Sequence, residues 1–297
     1  MPELPEVETI RRTLEPLVRD QKITAVEVLD RTCVGFPDPE SFQDRLAGHY
    51  VAGLERRGKY LIWELAQNRQ PSGLVLVVHL RMTGRLVYKR ADEPPDRYRR
   101  LVLRLENGDL VEYADLRRFG RLWLLSSDQQ SAAAVTKTAS SATEAAANGG
   151  PKGLWGLGPE PLAEEFSASY LRAVCTGRRA AIKSLLLAQE HVAGVGSIYA
   201  DEALFRAGVH PARPAGTLDE REIGRLVDSL KSVLAEAIQH RGTTFSDYRD
   251  GRGRRGEFYD RLAVYGREGK PCPRCGSIIS RGRAGGRSYR FCPQCQK

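Results

Sequence analysis

Cys272-Pro273-Arg274-Cys275 and Cys292-Pro293-Gln294-Cys295 are two CxxC knuckles with 16 residues between them. Each knuckle sets two thiolates on one side of a tight turn. Two knuckles at this separation close a tetrahedral zinc site at the ends of a β-hairpin. All four positions are cysteine, so no coordination position stays open, and the expected cofactor is one structural Zn2+. It would rigidify a segment too small to fold alone. A redox reading of CxxC is disfavoured by the two copies and by the lack of a surrounding βαβ unit. The other two cysteines, Cys33 and Cys175, are isolated, which points to a metal site in a reducing compartment rather than a disulfide framework.

Between the knuckles lie Arg281, Arg283, Arg287 and Arg290, interleaved with Tyr289 and Phe291. The whole chain of 297 residues has 46 basic and 37 acidic residues, a formal charge of +9. From Arg241 to the end there are 14 basic and 5 acidic residues, so the rest of the chain sums to zero. Zinc ribbons also mediate protein contacts, but this placement of charge favours a polyanion. No run approaches the ~18 apolar residues that span a bilayer, so no membrane partner is expected. The acidic, proline-punctuated opening has neither signal-peptide nor transit-peptide layout, and a cytoplasmic protein is expected. Gly251-Arg252-Gly253-Arg254-Arg255-Gly256 matches GxGxxG by letter, yet it follows no strand and opens no βαβ unit. It reads instead as a mobile basic loop able to close over a ligand.

Upstream, Val7, Ile10, Leu14, Leu17 and Val18 recur at helical spacing after Pro5. Strand-like runs follow at Ile23 to Leu29, Tyr60 to Leu65, Leu74 to Leu80, Leu101 to Leu105, Leu110 to Tyr113 and Arg121 to Leu125. Asn107-Gly108 is a hairpin signal between two of them. The pattern predicts an antiparallel β-sandwich or barrel of roughly eight strands. Ser126 to Gly150 is Ser-, Ala- and Thr-rich and reads as a disordered insert or linker. Helices are predicted over Phe166 to Cys175, Ala180 to Gln189 and Ile198 to Arg206, and from Thr217 to His240 behind a Thr217-x-x-Glu220 capping box. The fold class is α+β: an N-terminal helix with an antiparallel sandwich, then a helical domain and a zinc-finger β-hairpin. The expected domains are 1–125, the insert at 126–152, 153–268 and 269–297.

Pro2 follows the initiator Met, and removal of Met1 would expose a secondary amine. A chain-terminal amine titrates near ~8 against ~10.4 for Lys, and the positive end of the first helix should lower it further. Such an amine can attack a sugar C1′ and form an iminium, with adjacent Glu3 as general acid and base.

Met1-Pro2-Glu3-Leu4-Pro5-Glu6-Val7-Glu8-Thr9 resembles the opening of bacterial formamidopyrimidine-DNA glycosylases. Internal motifs resemble that family in order: Arg57-Gly58-Lys59-Tyr60-Leu61, His79-Leu80-Arg81-Met82-Thr83-Gly84 and Asp115-Leu116-Arg117-Arg118-Phe119-Gly120. Leu157 to Leu162 and Val195 to Glu202 continue the series, and the zinc hairpin completes it.

The resemblance implies a base-excision-repair glycosylase and AP lyase that removes 8-oxoguanine opposite cytosine and formamidopyrimidines from duplex DNA, working as a monomer. It implies Pro2 as nucleophile, Glu3 as general acid/base, Glu6 as a hydrogen-bonding support, and Lys59 for phosphate contact and proton donation. Met82, Arg117 and Phe119 would fill the gap left by a flipped nucleotide, where Phe can wedge a base step and Arg can satisfy the orphaned base. Arg118 would bind phosphate. Ala180 to Pro211 resembles a helix–two-turns–helix motif, with Arg178 and Lys183 on its first helix as phosphate contacts. Ser197 stands where the family usually has Asn, and Tyr98 where some members have a DNA-contacting His. Arg287 would serve phosphate binding and δ-elimination, and 243–256 the segment that covers the flipped base. Two other readings are an endonuclease VIII-type enzyme for oxidised pyrimidines, against which Leu4, Met82 and Phe119 argue, and a non-catalytic zinc-containing DNA-binding protein.

Overall fold

Alternation and helical periodicity carry most of the architecture seen in the computed structural model, which describes residues 1–126 and 150–297. The stretch 127–149, most of the expected insert, lies outside the described residues. The described chain divides into two compact units, 1–156 with 241–256, and 157–240 with 257–297.

In the first unit, α1 (Leu4–Val18) starts at Glu3 and carries Pro5 in its first turn, where a missing amide proton costs nothing. Its Val7, Ile10, Leu14 and Val18 are all buried at 1 % exposure or less. Each such side chain contributes about 1.5–3 kcal/mol relative to an exposed one. After β1 (Ile23–Val28) and β2 (Val34–Phe36) come α2 (Pro39–Leu46), β3 (Tyr50–Arg57), β4 (Tyr60–Gln67) and β5 (Gln70–His79). Then follow β6 (Gly84–Lys89), β7 (Arg99–Leu105), β8 (Leu110–Asp115), β9 (Arg121–Ser126) and the short α3 (Lys152–Trp155).

Two sheets form, ordered β1-β7-β8-β6 and β2-β9-β5-β4-β3. Their inner faces share one core, with Trp63, Val78 and Leu122 from one sheet and Leu86, Leu103 and Tyr113 from the other. The sandwich is as expected, except that β2 pairs with β9 in parallel. Asn107-Gly108 turns β7 into β8 as predicted, with Gly108 at φ +89°. β3, β6, β2 and α2 lie outside the runs singled out in the sequence.

The second unit holds α4 (Ala168–Cys175), α5 (Ile182–Leu187), α6 (Ser197–Ala207) and α7 (Glu220–Gln239), followed by the hairpin β10 (Ser280–Ala284) and β11 (Arg287–Phe291). Phe166, Leu171, Ile182, Tyr199, Leu204, Leu226, Leu230 and Phe258 form its core. The capping box of α7 is Asp219-x-x-Glu222 rather than Thr217-x-x-Glu220. Thr217 is spent elsewhere, since its hydroxyl donates to the Pro214 carbonyl and closes a 3-10 turn ahead of the helix. A smaller cluster of Phe205, Val264, Cys272, Ile279 and Cys292 lies under the hairpin.

Candidate functional site

In the first unit, Pro2 and Glu3 stand at the positive end of α1, and Glu3 is 2 % exposed. The Glu3 N–H donates to Glu6 Oε2 at 2.8 Å, and Glu6 Oε1 accepts the Thr243 N–H at 2.7 Å. The Tyr248 hydroxyl donates to the Glu6 carbonyl at 3.3 Å. Glu6 therefore ties the first turn of the chain to the segment 241–256. Gly242 lies so close that a Cβ there would meet Glu6 Oε1 at 2.7 Å, at a φ of +74° that glycine alone adopts without strain.

That segment is pinned rather than free. The Gly251 N–H donates to Thr13 Oγ1 at 2.9 Å, and Tyr88 donates its N–H to the Gly251 carbonyl at 2.8 Å. Buried Asp250 accepts the N–H groups of Arg252 and Arg254, both at 2.9 Å. The basic stretch 251–256 forms a hydrogen-bonded turn against α1 and β6.

Lys59 occupies a two-residue turn in which Arg57 pairs with Tyr60 and Gly58 takes φ +56°. Arg56 braces it, with Nη1 donating to the Gly58 carbonyl at 3.0 Å and Nε bonded to Glu8 Oε2 of α1 at 3.1 Å. Burial disfavours the charged form of Glu8. Hydrogen bonds from Arg11 and Arg12 and the charges of Arg11 and Arg56 outweigh it and hold the carboxyl down at about 2. α1 and the Lys59 turn are thus linked through one carboxylate.

Met82 is 40 % and Phe119 50 % exposed, unusual for large apolar groups. Arg117 stacks over the Phe119 ring at 4.6 Å. Beneath them Asp115, wholly buried, accepts from the Thr83 hydroxyl at 2.5 Å and the Arg117 N–H at 3.1 Å through Oδ1. Its Oδ2 takes the Gly120 N–H at 2.8 Å and the Tyr113 hydroxyl at 3.1 Å. The Arg117 N–H also reaches Thr83 Oγ1 at 3.0 Å, so the Met82 and Phe119 turns are fastened together. His79 accepts the Arg81 N–H on Nδ1 at 3.0 Å, and burial with the charges of Arg81 and Lys59 holds its pKa down at about 3, so near neutral pH the ring is an uncharged acceptor. Arg118, exposed at φ +58°, has its Nε 3.4 Å from Asp30 Oδ2. Tyr98, half-buried, carries Arg97 over its ring at 4.4 Å.

In the second unit, Gln189 shapes the loop between α5 and α6: its amide donates to the Leu187 and Val195 carbonyls and its oxygen accepts the Gly194 N–H. Gly194 at φ +79° and Gly196 lead into Ser197, the half-buried first residue of α6. Arg178 is exposed in the loop before α5, not on a helix. Lys183 is on α5 but only 2 % exposed; its Nζ donates to Asp201 Oδ1 at 2.6 Å and to the Ser288 carbonyl at 2.8 Å. Asp201 also accepts the Arg290 N–H at 3.1 Å, so this pair anchors β11. Glu202, buried at 1 % exposure, accepts the N–H groups of Ala263, Val264 and Tyr265 and fixes the approach to the first knuckle. Gln189 was not singled out in the sequence, and Asp115 and Glu202 stood in quoted motifs without a role, because polar residues of these types are ordinarily solvated.

The hairpin turns at Gly285-Gly286, both at positive φ, with Arg287 exposed at the start of β11. Arg281 and Arg283 are exposed too, whereas Tyr289 and Phe291 pack edge-on against His210. The interleaved aromatics therefore support the hairpin and leave Arg281, Arg283 and Arg287 exposed, whereas Arg290 is half-buried over the Tyr265 ring at 4.6 Å and beside Glu268. The Sγ atoms of Cys272, Cys275, Cys292 and Cys295 all lie within 4.8 Å of one another. Their paired separations, 3.4 Å for Cys275–Cys292 and 4.0 Å for Cys272–Cys295, bracket the spacing of about 3.8 Å that four Zn–S bonds of about 2.3 Å impose. Four thiolates at this spacing suit one structural zinc ion.

Residues 1–122 match the formamidopyrimidine-DNA glycosylase N-terminal domain, 157–249 that family's H2TH domain, and 269–297 the zinc finger found in FPG and IleRS. A formamidopyrimidine-DNA glycosylase of Pelotomaculum thermopropionicum is 46 % identical over 100 % of this chain and 99 % of its own. A Lactococcus lactis FPG variant in complex with Fapy-dG-containing DNA superposes with a TM-score of 0.86 at 34 % identity, covering 100 % of both chains. The wild-type Lactococcus lactis FPG with DNA containing an oxidised pyrimidine gives 0.85 at 34 % identity, again over 100 % of both chains.

Proposed function

The chain belongs to the formamidopyrimidine-DNA glycosylase family, and from that premise we propose that it excises oxidised purines from duplex DNA and cleaves the resulting abasic strand. The observation that carries the reading is the buried first turn of α1, where Glu6 locks Glu3 beside Pro2.

With Met1 removed, the Pro2 nitrogen attacks C1′ of the damaged nucleotide. The N–C1′ bond forms as the glycosidic bond breaks, and the base leaves with a proton supplied from Glu3. Ring opening gives an iminium at C1′, which acidifies C2′. Loss of that proton expels the 3′ phosphate, and a second elimination expels the 5′ phosphate. Water then releases Pro2. Lys59, on its braced turn, supplies phosphate contact and proton donation, and Arg287 serves the second elimination. Met82, Arg117 and Phe119 take the space vacated by the flipped nucleotide, and Arg118, Arg178 and the amides around Ser197 grip the backbone. Cys272, Cys275, Cys292 and Cys295 would hold one structural Zn2+, which would rigidify the hairpin that presents Arg281, Arg283 and Arg287. Lys183 acts from inside, through Asp201 and β11.

The test is borohydride trapping on a duplex with 8-oxoguanine opposite cytosine, read by intact and peptide mass. An adduct on Pro2 with Met1 absent is the expected result. An adduct only on an oxidised-pyrimidine duplex would transfer the assignment to the sister specificity, and none on either would overturn the chemistry.

A further inference from the structure

Arg97 and Tyr98 form a turn ahead of β7 that the chain has gone to some length to fix. Asp96 Oδ1 accepts the Tyr98 N–H at 2.8 Å, and the Asp96 carbonyl accepts the Arg99 N–H at 3.0 Å. The Asp96 N–H donates to buried Glu112 at 2.8 Å, and its carboxylate pairs with Arg85 at 2.7 Å. On the other side, the Tyr98 carbonyl accepts the Asp115 N–H at 3.0 Å. The backbone under Arg97 is therefore held from β6, β7 and β8 together.

The guanidinium lies 4.4 Å from the centre of the Tyr98 ring, in an exposed position, and among the described residues no carboxylate pairs with it. Of the cations around it, Arg85 is matched to Asp96, and Arg100 and Arg118 lie against Asp30, whereas the Arg99 and Arg117 guanidiniums, like that of Arg97, pair with no carboxylate among the described residues. A ring under the flat face of a guanidinium fixes its plane while leaving the N–H donors along its edge open. Arg117 over Phe119 repeats that construction. In register, Arg99 stands opposite Ala114 and Gly84 opposite Asp115, so residues 97–98, 116–120 and 82–83 all emerge from one end of the four-stranded sheet.

We propose that Arg97 is a further contact to a DNA backbone phosphate and that Tyr98 is its positioning residue rather than a DNA contact. An unmatched, oriented cation beside the Met82 and Phe119 turns is suited to a phosphodiester oxygen, and such a contact carries no sequence information. The inference rests on the duplex-DNA reading above.

The test is anisotropy titration of the full-length, zinc-loaded protein against a duplex with an abasic-site analogue and against the same undamaged duplex, over roughly 50 to 400 mM salt. Arg97→Ala is expected to lower the slope of log K against log salt by about 0.9 and to weaken binding about five-fold at 0.15 M salt, the loss that slope accumulates up to 1 M. Both duplexes lose equally. Tyr98→Phe, which keeps the ring, retains the wild-type slope, and Tyr98→Ala loses it as Arg97→Ala does. An unchanged slope in Arg97→Ala overturns the contact, and an unchanged slope in Tyr98→Ala overturns the platform. A wild-type protein that binds neither duplex overturns the functional reading itself.

Discussion

Asp115→Ala measures how firmly the exposed Met82–Phe119 surface is held. The buried carboxylate accepts from the Thr83 and Tyr113 hydroxyls and from the Arg117 and Gly120 N–H groups. With Ala in its place, the Arg117 N–H keeps Thr83 Oγ1, but three donors lose their acceptor. At about 1–3 kcal/mol for each buried donor left unmatched, the loss is about 3 kcal/mol or more. Asp115→Asn should be far milder, about 1–2 kcal/mol, because one oxygen remains and the flanking hydroxyls can rotate to accept from the new amide. Urea denaturation followed by tryptophan fluorescence is the assay, since Trp63, Trp123 and Trp155 all belong to the first unit and report on it alone. An Ala variant within about 0.5 kcal/mol of wild type, the range of an ordinary surface change, would refute the clamp. So would an Asn variant as damaged as Ala, because the argument turns on acceptor count. On the proposed function, excision of 8-oxoguanine should follow the same order, with Asn retaining more activity than Ala.

Two further outcomes follow from other parts of the fold. The Glu8 carboxyl, held down at about 2 against a usual value near 4.5, stabilises the folded state above the usual range and loses that contribution as pH falls toward 2. The urea midpoint should therefore decline between about pH 5 and 2, and Glu8→Gln should flatten the decline; an identical pH profile in the variant would exclude Glu8 as its source. Cys292→Ser should abolish zinc binding and DNA affinity together and expose the stretch after Gly269 to protease, because zinc-binding energy in so small a segment is folding energy; a zinc-free variant with wild-type affinity would break that link.

The sandwich and the principal helices were legible because their signals are local: Asn107-Gly108 makes a turn from two residues, and α1 shows its stripe within fifteen. What was hidden depends on residues far apart. β3 carries Glu55, Arg56 and Arg57 at its end, which dilutes a strand pattern, and those charges make sense only once Glu8 of α1 lies against Arg56. Lys183 looks like any surface lysine until Asp201 and the Ser288 carbonyl enclose it. Tyr289 and Phe291 alternate with arginines as a groove-binding strand would, yet period two cannot say which face His210 covers. Glu3 was legible beside Pro2 and Glu6 through the family resemblance, whereas the partner of Glu6 was not, since nothing near Thr243 in sequence announces the first helix.

That last bond also sets an order of events during synthesis. Thr243 is 237 residues beyond Glu6, and at roughly 5–20 residues per second a ribosome needs about ten to fifty seconds to make the intervening chain. Throughout that time the leading residues emerge, meet whatever enzymes trim new N-termini, and fold their helix without the segment that will pack against Glu6. Pro2 and Glu3, buried in the finished protein although Met1 is exposed, are thus given a window before burial. A nascent chain arrested before Gly242 should leave Pro2 and Glu3 open to solvent and to chemical labelling that the finished protein resists.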